Sequence, residues 1–193
     1  MQNLILVGGG GHCKSCIDVI EEINGYKIIG ILDIKEKVGE EILGYKIIGT
    51  DDDIEKYARQ CCCFLITVGQ IESADLRIKL FNKIKNAGGK FATIISPRAY
   101  VSKHAKIGEG TIVMHDVLVN ADAKIGKNCI INTKALIEHE CTIGDNCHIA
   151  VGAVVAGQVK IDSESFVGAN STIVQCVKIL KKTFIKAGSL VSK

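Results

Sequence analysis

From position 95 to position 191, every sixth residue is Ile or Val without a break in phase, running from Ile95, Val101 and Ile107 to Ile179, Ile185 and Val191. Four places after each stands a small or β-branched residue, such as Ala99, Thr111, Ala123, Cys129, Cys141, Ala153 or Ser165. The residue directly after it is often Gly or Asn, as at Gly108, Asn120, Gly126, Asn132, Gly144 and Gly168. A helix repeats every 3.6 residues and a strand every 2, so neither alone accounts for this period. A short strand followed by a corner does. The aliphatic side chain points in, Gly or Asn takes the left-handed conformation at the corner, and the small residue packs inside the next flat side. The pattern predicts a parallel β-helix of hexapeptide repeats. With three flat sides per turn a coil is 18 residues, and residues 95–193 make about five and a half coils.

The first 94 residues follow other rules. Short apolar runs at residues 4–7, 28–32, 45–48, 64–68 and 91–94 read as strands. Between them lie a helical stretch bearing Ile17, Ile20 and Ile23 on one face, a helix from the Thr50-Asp51-Asp52-Asp53 cap to about residue 60, and another from about 73 to 87 closed by Gly88-Gly89. Alternating strands and helices predict a small Rossmann-like parallel sheet with helices on its faces, that is, an α/β domain over residues 1–94. An all-β domain follows over residues 95–193. Pro97, the sole proline, marks the seam.

Composition narrows the function classes. The net charge of +3 is spread along the chain, with no basic stripe interleaved with aromatics, so no nucleic-acid partner is expected. The apolar runs are too short to span a bilayer, no basic-then-apolar leader is present, and a cytoplasmic protein without membrane attachment is expected. Nine cysteines raise the question of metal or disulfides. Cys129, Cys141 and Cys147 occupy the small inward position of the repeat, and Cys61, Cys62 and Cys63 open an apolar run. Both groups read as compact hydrophobes. Cys13 and Cys16 have redox-motif spacing but no second pair, and fall on a helix. No metal site is expected.

His139 and Glu140 carry the sharpest candidate chemistry. His139 stands at the third position of its repeat, which is mostly polar elsewhere and therefore faces outwards. Adding 18 residues places Gly157 directly above it. The imidazole could take a proton, the glycine N–H could hold an oxyanion, and Glu140 could orient the ring. His148 lies half a coil further on, on another side of the prism. The two histidines can share a site only if copies pack side by side, for which a threefold is the natural symmetry. His104 and His115 read as surface histidines. No two histidines stand five residues apart, which disfavours the zinc site of prism-shaped carbonic anhydrases. In the first part, Gly8-Gly9-Gly10-Gly11-His12 opens a helix after a strand, as a phosphate-cradling loop does.

The prism, the run Ile137-Glu138-His139-Glu140-Cys141-Thr142-Ile143-Gly144 and the Gly-rich βα unit together resemble the bacterial sugar acetyltransferases of the left-handed β-helix superfamily. The nearest groups are sialic acid O-acetyltransferases and bacillosamine-type N-acetyltransferases for nucleotide-linked 4-amino sugars. The resemblance implies a homotrimer with acetyl-CoA between neighbouring prisms and direct transfer to a nucleotide-sugar amine. It implies His139 as general base, Glu140 tuning it, His148 and Gly157 near the acetyl group, and Ala169 and Ala187 along the CoA channel. Gly10, Gly11, His12, Asp33, Ile34 and Gly69 would hold the nucleotide-sugar, with Ile34 standing where a second acidic residue is common. The family commonly continues into a tail that is not seen after Val191-Ser192-Lys193. O-acetylation of a sialic-acid-like sugar, and a non-catalytic nucleotide-binding trimeric scaffold, are the alternatives.

Overall fold

The structure, a computed structural model, describes residues 1–60 and 62–192. Cys61, expected to open a buried strand, and Lys193, at the end of the expected β-helix, lie outside the described residues. Two compact units are present: Met1–Gly69 with Asp75–Ala92, and Gln70–Ala74 with Thr93–Lys193.

The first unit contains β1 (Gln2–Val7), α1 (Gly11–Glu21), β2 (Tyr26–Leu32), β3 (Glu41–Ile42), β4 (Tyr45–Gly49), α2 (Ile54–Arg59), β5 (Cys63–Ile66), α3 (Asp75–Asn86) and β6 (Lys90–Phe91). They form one sheet in the order β3-β4-β2-β1-β5-β6. All pairs are parallel except β3–β4, a hairpin whose Leu43 and Gly44 both have positive φ. Thr50 caps the turn before α2 through the Asp52 N–H, and Asp53 returns a bond to the Thr50 N–H. Ile5, Val7, Leu32, Phe64, Ile66, Leu80 and Ile84 make the core, with Phe81 stacked on Phe91 at 4.0 Å. Connections run β1 to β2 on one side and on to β5 on the other, so the chain reverses direction beside β1. That is where an open parallel sheet offers a crevice.

The last strand expected for this unit, residues 91–94, is in fact two. β6 ends at Phe91, and Ile94–Ile95 pairs with Ile112–Val113 as the first rung of the second unit. The units therefore part between Ala92 and Thr93 rather than after residue 94, and Gln70–Ala74 groups with the second.

The second unit is a parallel β-helix. Two-residue strands recur every six residues and stack in three sheets, each strand pairing with the one 18 residues on, as Ile112 with Ile130 and Leu118 with Leu136. The second residue of each strand points inwards, and from Val113 to Ile185 these aliphatics are buried. The small position is buried too, and its chemistry has a reason. Thr111, Cys129, Cys141, Cys147, Ser165 and Ser171 each donate a side-chain hydrogen bond to the backbone carbonyl 15 residues ahead, at 2.8 to 3.4 Å. A compact donor there fills the interior and satisfies a corner carbonyl of the next coil.

One expectation about the corners is overturned. The left-handed residue is the third after the inward aliphatic, not the first: Asp116, Asp122, Asn128, Lys134, Glu140, Asn146, Gln158 and Cys176 all have φ between 53° and 64°. Gly108, Gly126, Gly144 and Gly168 have ordinary φ. Each lies so close to the neighbouring coil that a Cβ would strike Gly126, Asp145, Ser163 or Ala187 respectively. Close approach of coils, not backbone handedness, calls for glycine there.

Candidate active site

His139 and Glu140 sit on the corner between strands Leu136–Ile137 and Thr142–Ile143. Both side chains are about half exposed, at 53% and 50%. The corner is pinned from behind: Glu138 Oε2 accepts from the His139 N–H at 3.1 Å and from Asn120 Nδ2 at 2.8 Å. Glu140 Oε2 lies 3.0 Å from His139 Nδ1. A carboxylate can only accept, so Nδ1 carries the hydrogen, and in the neutral ring Nε2 keeps its lone pair. A Cβ on Gly157 would lie 2.7 Å from that same Nε2, so glycine is required where the ring rests. On either side of Gly157, Ala156 donates to the Ile173 carbonyl and Gln158 to the His139 carbonyl. The Gly157 N–H makes none of these coil-to-coil bonds.

The other residues named for the cofactor lie elsewhere on the prism. His148 heads the strand His148–Ile149 and is only 8% exposed. Its Nδ1 donates to the Gln70 carbonyl at 2.5 Å and its Nε2 faces Asn132 Nδ2 at 3.1 Å. Asn132 Oδ1 is already taken by the Thr133 N–H, so the amide nitrogen is the end that meets the ring. Neutral His148 thus has one donor and one acceptor bond. Ala169 and Ala187 occupy successive coils on the corner that follows this sheet, joined by the bond from the Gly188 N–H to the Ala169 carbonyl. One chain therefore brings His139, Glu140 and Gly157 together and holds His148, Ala169 and Ala187 on different faces. His115, expected at the surface, is buried, with its Nδ1 2.7 Å from Ser96 Oγ on the same corner of the preceding coil. His104 is exposed.

In the first unit the Gly run divides in two. Gly8 has φ +107° and packs on Val68, while a Cβ on Gly9 would meet Asp33 Oδ2 at 2.7 Å. These two are needed by the fold. Gly10, the residue capping α1, and Gly11 have open space around them and are exposed. Asp33 fixes the loop: its Oδ2 accepts from the Gly9 N–H at 2.6 Å and from Lys37 at 3.4 Å, its Oδ1 from the Ile34 N–H at 2.7 Å. Ile34 is 56% exposed. His12 Nε2 lies 3.4 Å from Cys16 Sγ, and a Cβ on the exposed Gly69 would lie 3.8 Å from the His12 Cβ. Asp33, Ile34 and Gly8 line a cleft of about 410 Å³ floored by Val7, Leu32, Val68 and Leu80, at the carboxyl ends of the strands.

Burial pushes the Cys13 thiol up to about 11 and raises that of Cys16 further, which keeps both in the thiol form near neutral pH. No metal-binding cluster occurs among the described residues. Arg77, unnoticed in the sequence, is 1% exposed and donates to the carbonyls of Ile66 and Val68, holding the end of β5 that borders the cleft. Gln158, also unnoticed, touches Glu140. Its signal was arithmetic: it lies 18 residues on, in the same column. Among the described residues no helix is long and apolar enough to cross a membrane.

Residues 3–84 match the PglD N-terminal domain, and residues 104–139, 122–157 and 140–175 match the bacterial transferase hexapeptide repeats. UDP-N-acetylbacillosamine N-acetyltransferase of Bacillus subtilis is 34% identical over 116 residues, 59% of this chain and 52% of that one. The match thus spans about half the length of that relative. A histidine-to-alanine variant of the GDP-perosamine N-acetyltransferase of Caulobacter crescentus, solved with CoA and GDP-perosamine, superposes with a TM-score of 0.75 at 25% identity, covering 98% of this chain and 93% of that one. The acetyltransferase domain of PglB from Neisseria gonorrhoeae shares the fold, with a TM-score of 0.73 at 24% identity over 98% and 96% of the chains. A PglD-type α/β unit is thus joined to a left-handed β-helix of bacterial transferase hexapeptide repeats, and in both parts the chain is similar to the bacterial hexapeptide-repeat sugar acetyltransferases.

Proposed function

We propose that the protein transfers the acetyl group of acetyl-CoA to the 4-amino group of a nucleotide-linked amino-deoxy sugar, in bacterial glycan biosynthesis. The observation that carries this reading is the His139 ring, with Nδ1 tied to Glu140 and Nε2 resting against Gly157. The amine attacks the thioester carbonyl. Nε2 of His139 removes the proton that would otherwise let the amine leave again, the Gly157 N–H receives the oxyanion, and CoA departs as the thiol. Glu140 keeps the ring in the tautomer whose lone pair faces the substrate. No metal takes part.

The nucleotide is held in the first unit. The open backbone at Gly10 and Gly11 opens α1, whose N-terminus favours a phosphate. His12, Asp33, Ile34 and Gly69 surround the same loop. The GDP-perosamine bound in the Caulobacter relative supports a nucleotide-sugar here. His148, Ala169 and Ala187 are read as the acetyl-CoA side of the site. Their separation from His139 within one chain favours a homotrimer in which each site combines two subunits.

Thiol release from acetyl-CoA, measured against a panel of UDP-, GDP- and dTDP-linked 4-amino sugars and free sialic acid, tests the reading. Turnover with one nucleotide-linked amine, abolished in His139→Ala, is expected. Turnover with sialic acid alone would replace the amine by a hydroxyl, and undiminished transfer by His139→Ala would remove the base from the mechanism. Sedimentation equilibrium should give three times the mass of the 20.7 kDa chain.

A further inference from the structure

Beyond the His139–Glu140 pair, the same column of corners carries two more polar side chains in contact. Gln158 Nε2 donates to Glu140 Oε2 at 3.2 Å, the very oxygen that accepts from His139 Nδ1. Cys176, one coil further, donates its thiol hydrogen to Gln158 Oε1 at 3.3 Å. An amide has a donor end and an acceptor end. With a thiol donor on one side and a carboxylate acceptor on the other, only one orientation of the Gln158 amide satisfies both. Glu140, Gln158 and Cys176 each have a positive φ, of 59°, 62° and 64°, so their side chains leave the corner in the same direction and stack at the spacing of the coils.

We propose that Gln158 is a positioning residue for the general base, with Cys176 fixing the orientation of its amide. It rests on the reading of His139 as that base. Gln158 supplies the second donor to Glu140 Oε2. That bond holds the carboxylate in the plane of the imidazole and draws off part of its charge, so that Glu140 fixes the Nδ1–H tautomer without overstabilising the imidazolium. The charged groups around the pair are Glu138 on its own corner, Asp122 one coil below Glu140 in the same column and paired with Lys124, and Lys160 and Lys178, which share a recess of about 510 Å³ with Glu140, Gln158 and Cys176. Lys160 and Lys178 oppose Glu138 in their effect on the ring, and neither is bonded to Glu140.

The test compares Gln158→Asn and Gln158→Glu with the parent. Asn accepts the left-handed backbone but is one methylene too short to reach Glu140. Glu keeps the length and places a second carboxylate beside the first. For Gln158→Asn, kcat should fall roughly tenfold with KM nearly unchanged, and the acid limb of the kcat–pH profile should move to higher pH. Gln158→Glu should move it further in the same direction, and Glu140→Gln should move it to lower pH. Thermal unfolding of each variant shows whether the coil has survived. Nitrogen-15 shifts of the His139 ring in the parent and in Gln158→Asn read the tautomer directly, whatever the activity. A loss of the Nδ1–H form in Gln158→Asn supports the positioning role. An unchanged tautomer and an unmoved acid limb in a folded variant overturn it, while transfer that survives His139→Ala overturns the general-base reading instead.

Discussion

A Cβ built on Gly157 would lie 2.7 Å from Nε2 of His139, although 18 residues of chain separate the two. Ring and bare backbone share one column of corners, and no side chain fits between them. Gly157→Ala should therefore turn the imidazole away from its place while leaving the interior of the prism intact. Acetyl transfer is expected to drop at least about tenfold with an unfolding midpoint close to that of the parent, as measured by thiol release and circular dichroism. Parent-like turnover would show that the ring does not work from this position.

The four consecutive glycines should separate by experiment. Gly8→Ala forces a side chain onto a φ of +107° and into Val68, and should destabilise the protein by about 1–3 kcal/mol in urea unfolding. Gly10→Ala meets nothing within 4 Å and should leave the midpoint almost unchanged. If the loop cradles a phosphate, Gly10→Ala should still weaken nucleotide-sugar binding in calorimetry. Equal stability losses at the two positions would contradict the division described for the run.

Thiol accessibility offers a test of the buried-cysteine reading. Burial raises the Cys13 and Cys16 thiols and removes them from solvent, whereas Cys176 is exposed. Iodoacetamide applied to the native protein near pH 8 should modify Cys176 well before Cys13 or Cys16, as read by peptide mass mapping. Early labelling of Cys13 would mean that α1 opens readily.

Near the last coils, Glu164 is clamped by Lys181 at 2.6 Å and Lys182 at 3.3 Å. The Lys181 ammonium, followed by that of Lys182, holds its carboxyl below the usual carboxylate range. A carboxyl lowered by folding stabilises the protein above its unfolded-state pKa, and that contribution disappears as pH falls through the lower, folded value. Glu164→Gln should thus lower the unfolding midpoint by on the order of 1–2 °C at pH 7, since both lysines are solvent-screened. The gap between the two proteins should close below about pH 4.

The prism could be read from the sequence because its cross-section imposes one rule on every coil. An aliphatic residue at each sixth place and a small or β-branched residue four places later are demands that the 18-residue pairing repeats from coil to coil. The corners were harder to read. Asp, Asn, Gln, Lys, Glu and Cys share the left-handed position there with Gly110, Gly152 and Gly188, so glycine marks only a few of the corners, while Gly108, Gly126, Gly144 and Gly168 answer to the neighbouring coil. His139 and Gly157 were legible as a pair because outward polarity and one coil of spacing suffice to align them. Gln158 follows from the same spacing, but a lone glutamine carries no chemical flag. Arg77 and the return of Gln70 to His148 depend on contacts between distant segments without any period, and sequence pattern is silent on those.

The stacking of coils also quantises the length of this protein. Adding one full 18-residue turn above Cys176, or adding or removing one below Asn120, leaves the imidazole and its neighbours in the same relation, since every rung pairs with its equivalent. A single-residue insertion between His139 and Gly157 has no such freedom, because it carries the glycine off its edge of the triangle and sets a side chain against the ring. Evolution and engineering can make the tower taller or shorter by whole storeys, but cannot slip it by one brick.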